Sequence, residues 1–518
     1  MATSLCYAKP LKPFSLRLPQ TQNPQIPTQT TQIREAETLT ITGPTQLSGH
    51  VPISGSKNSS LCLLAATLLC SNSCLLHNVP TGLSDTKAML SILRSLGAKI
   101  EFNERNKEIL VNTDGVGRVE PCLEEMRKIR GGFFVIGPLL ARFGEAVVGL
   151  PGGCDIGERP VDLYVRGLRA LGAAVEITFK IFPWQFLICG NRLCKPTISH
   201  SNTEKMAGIA NFCIITSDDT GLQRDGRVLA HSANGKGLVG GSFHLDFPSV
   251  GATETLMMAA SMADGVTVLS NVAKEPEVID LARFLNDSGA CVYGAGSDKL
   301  LIKGKCQLRG CECYVPPDRI EAGTFMLAAA ITRSLISISP VTPSHLSCLI
   351  DKLKIAGCKI TRCNNDTLEV SAIPENVCEN LRGFNVRTSP FPGFPTDLQP
   401  PTMALLTTCS GSSIVEESVF DRRLGHVREL QKLGAKIQVC GSTALVFGRE
   451  TRSALHGSQL RAADLRGGVA LVLAGLVAEG TTQISGIGHI GRGYENLDTK
   501  LQFLGADIKR SIAMASQL

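Results

Sequence analysis

LRSLGAKIEF at residues 93–102 and LQKLGAKI at 430–437 repeat one phrase far apart in the chain. LRALGAAVEI (168–177), LNDSGACVYG (285–294), LKIAGCKI (353–360) and LQFLGADI (501–508) are further copies. Each reads as the last turn of a helix, a glycine, and a short strand. The glycines are Gly97, Gly172, Gly289, Gly357, Gly434 and Gly505. A chain leaving a helix commonly reverses through one left-handed residue, where a Cβ is costly, so all six are predicted to take positive φ. A second phrase precedes each copy by about 25 to 30 residues: a helix ends in a small or polar turn and an alternating strand follows. Its copies begin near Cys70, Arg142, Ala263, Ile331, Cys409 and Ala478, as in ADGVTVLSNV (263–272) and AEGTTQISGI (478–487). The chain therefore reads as six α/β units, each pairing amphipathic helices with short strands.

The intervals between the glycines are 75, 117, 68, 77 and 71 residues, so one unit carries a surplus. The excess falls at residues 177–220, which hold the only Trp and show no clear periodicity. Surface insertions cost little thermodynamically, and this one is expected to be poorly packed. At 518 residues the chain has ample length for more than one core. The formal net charge is +6, but Lys9, Lys12, Arg17 and Arg34 stand in a leader without Asp or Glu, which leaves +2 for the rest. That balance argues against a nucleic-acid partner. The longest apolar run, Val469 to Ala478, is about half of the ~18 residues a membrane span needs. Residues 1–35, rich in Ser, Thr and Pro, resemble an organellar transit peptide, with the plastid stroma favoured because arginines are few. An ordinary disordered tail is the alternative. The 19 cysteines are scattered through apolar segments, which suits free thiols in a reducing compartment, and none has zinc-ligand spacing, so no metal site is expected.

Four segments set polar residues where a core element would want none. In SGSKNSSLCLLAATLL (54–69), Ser56 can cap a helix with Leu61, Leu64, Ala65 and Leu68 on its apolar face. That puts Lys57 and Asn58 at a helix N-terminus, suited to an anion, although a solvated capping turn is the more frequent meaning of such residues taken alone. In LPGGCDIGERPVDLYVRGL (150–168), glycines surround Cys154, with Arg159 five residues on. An exposed thiol near an arginine can act as nucleophile or proton donor; a cysteine buried in a turn is the bland reading. In RTSPFPGFPTDLQPPTMALL (387–406), three prolines deliver Asp397 to the start of a helix, as a cap or as a general base. Arg130, Arg423, Arg466 and Arg492 form a fourth group, each alone an ordinary surface charge.

GSKNSSL, LARFGEAVVGLPGGCDIGERPVDL, DFPSVGATETLMMAA, PPDRIEAGTF, FPTDLQP, ADLRGG and HIGRGYENL, in this order, resemble the UDP-N-acetylglucosamine enolpyruvyl transferase (1-carboxyvinyltransferase) family. The likeness runs from about residue 37 to 510 around the insertion. It implies a two-domain inside-out α/β barrel of six repeated units, three per domain, with the active site between the domains. One domain would span 57–316 and the other 36–56 with 317–518. The implied reaction transfers the enolpyruvyl group of phosphoenolpyruvate to the 3-hydroxyl of UDP-N-acetylglucosamine by addition and elimination, the first committed step of peptidoglycan precursor synthesis. By the resemblance, Lys57, Arg159, Arg423 and Arg492 match the cations that hold phosphoenolpyruvate, with Arg130 a further basic residue of that site. Asp397 matches the base for the sugar hydroxyl and Cys154 the general acid at C3. Asn58, Pro160, Val161, Asp162, Leu163, Ser249, Val250 and Val419 match UDP-sugar positions, and Asp464 and Arg466 of ADLRGG join the substrate-binding set. No cofactor is implied, and the chain is expected to act as a monomer.

The sequence departs from the family pattern in places. Tyr164 follows RPVDL where His is usual, Pro400 and Pro401 follow FPTDLQ where Ala-Gln is common, and Phe247 replaces a lysine found in some members. The enolpyruvyl transferase acting on shikimate 3-phosphate is the nearest rival; its Asn-Ala-Gly-Thr-Ala segment is absent here and the Cys-bearing loop is present. A catalytically silent relative disabled by the insertion is the other.

Overall fold

The structure is a computed structural model. It describes residues 36–103, 107–154, 156–157, 161–179, 187–189, 192–194, 226–233, 235, 237–304, 307–373, 380–448 and 455–513. All six repeat glycines have positive φ, between 81° at Gly172 and 110° at Gly97. Each ends an outer helix and turns the chain into a strand that pairs with the next strand as an antiparallel hairpin or with its topological equivalent.

Apart from the short helix Leu123–Lys128, the α-helices divide into two kinds. Six outer helices, among them Ser84–Leu96 and Pro276–Asp287, bury one face and expose the other. Six others are buried on nearly all sides: α1 (Lys57–Ala66), α2 (Ile136–Phe143), α3 (Val250–Ala260), α4 (Arg319–Ile331), α5 (Gln399–Leu406) and α6 (Leu465–Gly475). The uniform amphipathicity expected of the units is thus corrected. The stretch Thr324–Ile331 (TFMLAAAI) of α4 is apolar almost all round because other helices and sheets enclose it.

Two apolar cores result. One is built from α1–α3 and runs from Leu61 to Val315; the other is built from α4–α6 together with Leu39, Ile41, Leu47, Val51 and Ile53. Each core carries three principal sheets. In the second, the strand Ala36–Gly43 lies antiparallel between Gly480–Ser485 and Asp507–Ala513, so residues from the start of the chain complete the sheet of its last repeat. The strand Ser48–Pro52 pairs in parallel with Leu335–Ser339 before the chain passes to α1. The strand Glu312–Tyr314 pairs with Ser73–His77 before the chain passes to α4. These two crossing segments run side by side, bridged at Gly55 and Pro317, with the Ser56 N–H donating to the Pro316 carbonyl at 2.7 Å and the Asp318 N–H to the Ser54 carbonyl at 2.8 Å.

The surplus segment is attached at a hairpin end. Strands Ala173–Phe179 and Gly226–Ser232 pair in unbroken register from Ala173 opposite Ser232 to Phe179 opposite Gly226. Residues 177–179 therefore belong to the sheet, and the interruption starts at residue 180 rather than 177. In the first repeat the equivalent pair of strands ends with Asn103 opposite Glu108, only five residues apart in the chain. The packing expected of the insertion concerns residues that lie, apart from strands 187–189 and 192–194, outside those described. Residues 1–35 lie outside them too. Among the described residues, the cysteines from Cys62 to Cys154 and from Cys291 to Cys440 whose side chains are described are free thiols. No helix among the described residues is long and apolar enough to cross a membrane.

Candidate active site

The two crossings fix where the side chains converge. Asp318 caps α4, its Oδ1 accepting from the Ile320 and Glu321 N–H groups at 2.8 and 3.0 Å. Its Oδ2 accepts from the Lys57 N–H at 3.0 Å, so one carboxylate joins the positive ends of α1 and α4. Ser56 caps α1 as the sequence indicates, accepting from the Ser59 N–H at 3.2 Å. Lys57 and Asn58 thereby enter a cleft of about 560 Å³ lined from both cores.

One end of this cleft is cationic. Asp397 is not a helix cap. Its Oδ1 accepts from Arg423 Nη2 at 2.7 Å and its Oδ2 from Arg466 Nη2 at 3.1 Å, while Leu398 stands at the cap position of α5 without a side-chain bond. Both arginine side chains are at most 3% exposed, whereas a quarter of the Asp397 side chain is open. Burial alone would raise the Asp397 carboxyl, but Arg466, Arg423 and Lys57 outweigh it and hold the group far below the ordinary carboxylate range. Asp464 caps α6 through the Arg466 and Gly467 N–H groups, and the Arg466 guanidinium lies over the Tyr494 ring at 5.1 Å.

Facing this group, Arg492 donates to the Cys154 Sγ at 2.8 Å through Nη1 and to Asp85 Oδ1 at 2.8 Å through Nε. Asp85 also pairs with the Lys57 ammonium at 3.5 Å. The Cys154 loop is held by close approach: a Cβ at Gly152 would collide with the Arg127 carbonyl, and Gly157, at φ 125°, lies against Asp421. The Arg422 N–H reaches the Ile156 carbonyl at 3.3 Å, so the loop from one core touches the other. Arg130 and Arg423 both lie near the Phe420 ring, 5.7 and 5.5 Å from its centroid. Buried Glu417 shapes that wall, accepting from Thr388, Thr396 and the N–H groups of Val419 and Phe420.

The other end is acidic. Glu254, Glu275 and Glu277 line it, with Arg319 and Asn58. Asn58 Nδ2 donates to Glu277 Oε1 at 3.1 Å, and Arg319 pairs with the same carboxylate at 3.4 Å. Burial, then the charge of Glu277, pushes the Glu254 carboxyl well up; Glu275 is raised for the same reasons while accepting from the Phe391 N–H at 3.1 Å. Asp280, behind them, is raised to about 6, chiefly by burial.

Of the residues singled out from sequence, Lys57, Asn58, Arg130, Cys154, Leu163, Ser249, Val250, Asp397, Val419, Arg423, Asp464, Arg466 and Arg492 all line this one cleft. Val161 and Asp162 do not. Val161 packs on the core, and Asp162 is exposed and paired with Arg166 at 3.3 Å. Arg159 and Pro160 lie outside the described residues. Tyr164 is buried, its ring edge-on to Phe133 at 5.1 Å and its hydroxyl where a side chain at Gly251 would stand; it does not line the cleft. Phe247 does. Sequence reasoning missed Asp85, Glu254, Glu275, Glu277 and Arg319. For Glu254 a signal existed, a lone acid within the apolar run of α3.

The arrangement can bind a small polyanion at fixed cations, keep a carboxylate and a thiol beside it, and admit a larger polar ligand toward the acidic end. The family model described as EPSP synthase (3-phosphoshikimate 1-carboxyvinyltransferase) matches residues 41–197 and 223–501. A UDP-N-acetylglucosamine 1-carboxyvinyltransferase 2 of Prochlorococcus marinus is 43% identical, covering 91% of this chain and 98% of that one. A UDP-N-acetylglucosamine 1-carboxyvinyltransferase of Gloeobacter violaceus is 44% identical over 92% of this chain and 91% of its own. Among solved structures, the enolpyruvyl transferase NikO of Streptomyces tendae superposes with a TM-score of 0.73 at 23% identity, covering 93% of this chain and all of that one. An EPSP synthase of Acinetobacter baumannii gives 0.62 at 17% identity, over 92% of this chain and all of its own. These two likenesses bear on the fold.

Proposed function

The chain belongs to the UDP-N-acetylglucosamine 1-carboxyvinyltransferases within the wider carboxyvinyltransferase family, and from that premise we propose that it transfers the enolpyruvyl group of phosphoenolpyruvate to the 3-hydroxyl of UDP-N-acetylglucosamine, releasing phosphate. The observation that carries this reading is Asp397 pinned between Arg423 and Arg466, beside Lys57 and across from the Arg492–Cys154 pair. Phosphoenolpyruvate brings a phosphate and a carboxylate, and a water-poor cluster of prepositioned guanidiniums stabilises both them and the charge of a tetrahedral intermediate. As those cations turn toward the incoming anion, Asp397 regains basicity, so the base for the sugar hydroxyl is switched on by the co-substrate. The hydroxyl oxygen attacks C2 as Asp397 takes its proton, and C3 gains a proton from the Cys154 thiol. Loss of a C3 proton and of phosphate then regenerates the enol ether.

The same reading makes residues 57–316 one domain and residues 36–56 with 317–518 the other, closing on substrate between them. The product would enter peptidoglycan precursor synthesis. The acid-free leader supports delivery to the plastid stroma, and N-terminal sequencing of the mature native protein tests it: an intact Met1 refutes processing. The enzyme acts as a monomer, which light scattering checks.

Phosphate release by residues 36–518 with phosphoenolpyruvate tests the function. Release dependent on UDP-N-acetylglucosamine is the expected result. Release with shikimate 3-phosphate alone, or silence from folded protein with both acceptors, overturns it.

A further inference from the structure

Asn58 offers two hydrogen-bonding ends, an NH₂ that donates and an oxygen that accepts, and which of them meets a ligand decides what the ligand must carry. Its environment fixes the choice. Glu277 stands in the first turn of the helix Pro276–Asp287, nearly fully buried, and pairs with the Arg319 guanidinium at 3.4 Å. A carboxylate paired with a guanidinium only accepts. Asn58 must therefore turn its NH₂ to Glu277, as the 3.1 Å bond from Nδ2 to Oε1 records. Among the described residues no group bonds the Asn58 oxygen, and Asn58 lines the cleft. Arg319 is held in turn by the Phe391 ring, whose centroid lies 5.6 Å from the guanidinium.

We infer that Glu277 is a positioning residue: it locks the Asn58 amide with its oxygen facing the cleft, so that Asn58 selects a hydrogen-bond donor, a hydroxyl or an amide N–H, on the sugar of the acceptor substrate. This rests on the function proposed above, and it adds a residue that touches no substrate but sets the polarity of one that does.

An exchange of the pair tests it. Glu277→Gln lets the amides meet in either sense and releases Asn58 to flip. Asn58→Asp sets two carboxylates against each other. The double variant restores one donor facing one acceptor, with the carboxylate of the substituted position 58 still presenting an acceptor to the cleft. A charge-assisted hydrogen bond contributes about 1.5–3 kcal/mol, roughly ten- to a hundredfold in affinity. Calorimetric titration with UDP-N-acetylglucosamine should show each single variant weakened about tenfold or more. The double variant should recover to within about threefold of the parent. The KM for phosphoenolpyruvate, a readout that general loosening of the cleft would disturb, should change less than about twofold. Should Glu277→Gln fail to fold, Glu277→Asp keeps the charge beside Arg319 but draws the acceptor away from Asn58, and should weaken UDP-sugar binding several-fold. Unchanged affinity in the folded single variants, or a double variant no better than the worse single one, overturns the inference alone. A parent that binds no UDP-sugar overturns the proposed function and this inference with it.

Discussion

Removing the Asp397 carboxylate should destabilise the protein before any chemistry is considered. Two guanidiniums bond to it, at 2.7 and 3.1 Å, and both are almost wholly buried. In Asp397→Ala they would face each other and Lys57 without a counterion. Each pair at about 4 Å between charges has a Coulomb energy near 4 kcal/mol at an effective dielectric of about 20, and desolvation offsets part of it. Breaking a buried pair by deleting one partner costs about 3–5 kcal/mol net. At about 2–4 °C per kcal/mol for a domain of this size, the melting temperature should fall by roughly 6 °C or more. Inorganic phosphate should then stabilise the variant more than the parent, because it can occupy the vacated place between the arginines. At a hundred times its dissociation constant such an anion returns about 2.7 kcal/mol. Differential scanning fluorimetry across a phosphate series, with chloride matched for ionic strength, reads both effects. An equal or higher melting temperature in Asp397→Ala, with no added response to phosphate, would show that the arginines are not held by this carboxylate.

Other outcomes follow from the same geometry. Asp280, raised from 3.8 to about 6 mainly by burial, costs the folded state about 3 kcal/mol above pH 6. That penalty fades as pH falls from 6 toward 3.8, so Asp280→Asn should gain stability at pH 8 and flatten the pH dependence of urea unfolding between pH 4 and 7; an unchanged slope contradicts the burial argument. Cys154→Ser should lose turnover or retain product while binding UDP-N-acetylglucosamine as the parent does, and equal turnover would remove the thiol from proton transfer. Replacing residues 180–225 by a four-residue turn between Phe179 and Gly226, which already pair, should leave the melting temperature within about 3 °C. Loss of folding would mean that the segment is part of the core.

Much of this was legible because repetition exposes geometry. A glycine that must take positive φ leaves the same letter at the same place in each copy, and six copies make the unit visible. The motif-bearing loops were equally readable, since Lys57, Cys154, Asp397 and Arg492 sit at helix starts or glycine- and proline-rich turns, where local chemistry stands out. Asp85 and Glu277 were not. Each lies in an ordinary first helical turn and gains its meaning from partners on other elements, Arg492 and Lys57 for one and Arg319, with Asn58, for the other. Nor does periodicity distinguish a helix buried all round from one that shows a face to water when the residues are Ala, Leu and Met throughout. Tyr164 illustrates the reverse limit. As a departure from a family pattern it suggested an altered ligand contact, but the ring is taken into the core against Phe133.

The strand Ala36–Gly43 lies between Gly480–Ser485 and Asp507–Ala513, and this sets an order of events during synthesis. Residues 57–315 can gather around their own core as soon as they leave the ribosome. Leu39 and Ile41, made earlier, must wait for partners more than four hundred residues downstream. At about 5–20 residues per second that wait lasts roughly 20 to 90 seconds. Throughout it, a β-strand with one apolar face and both edges unpaired trails from a folded neighbour, a species that a chaperone or a wrong strand can capture.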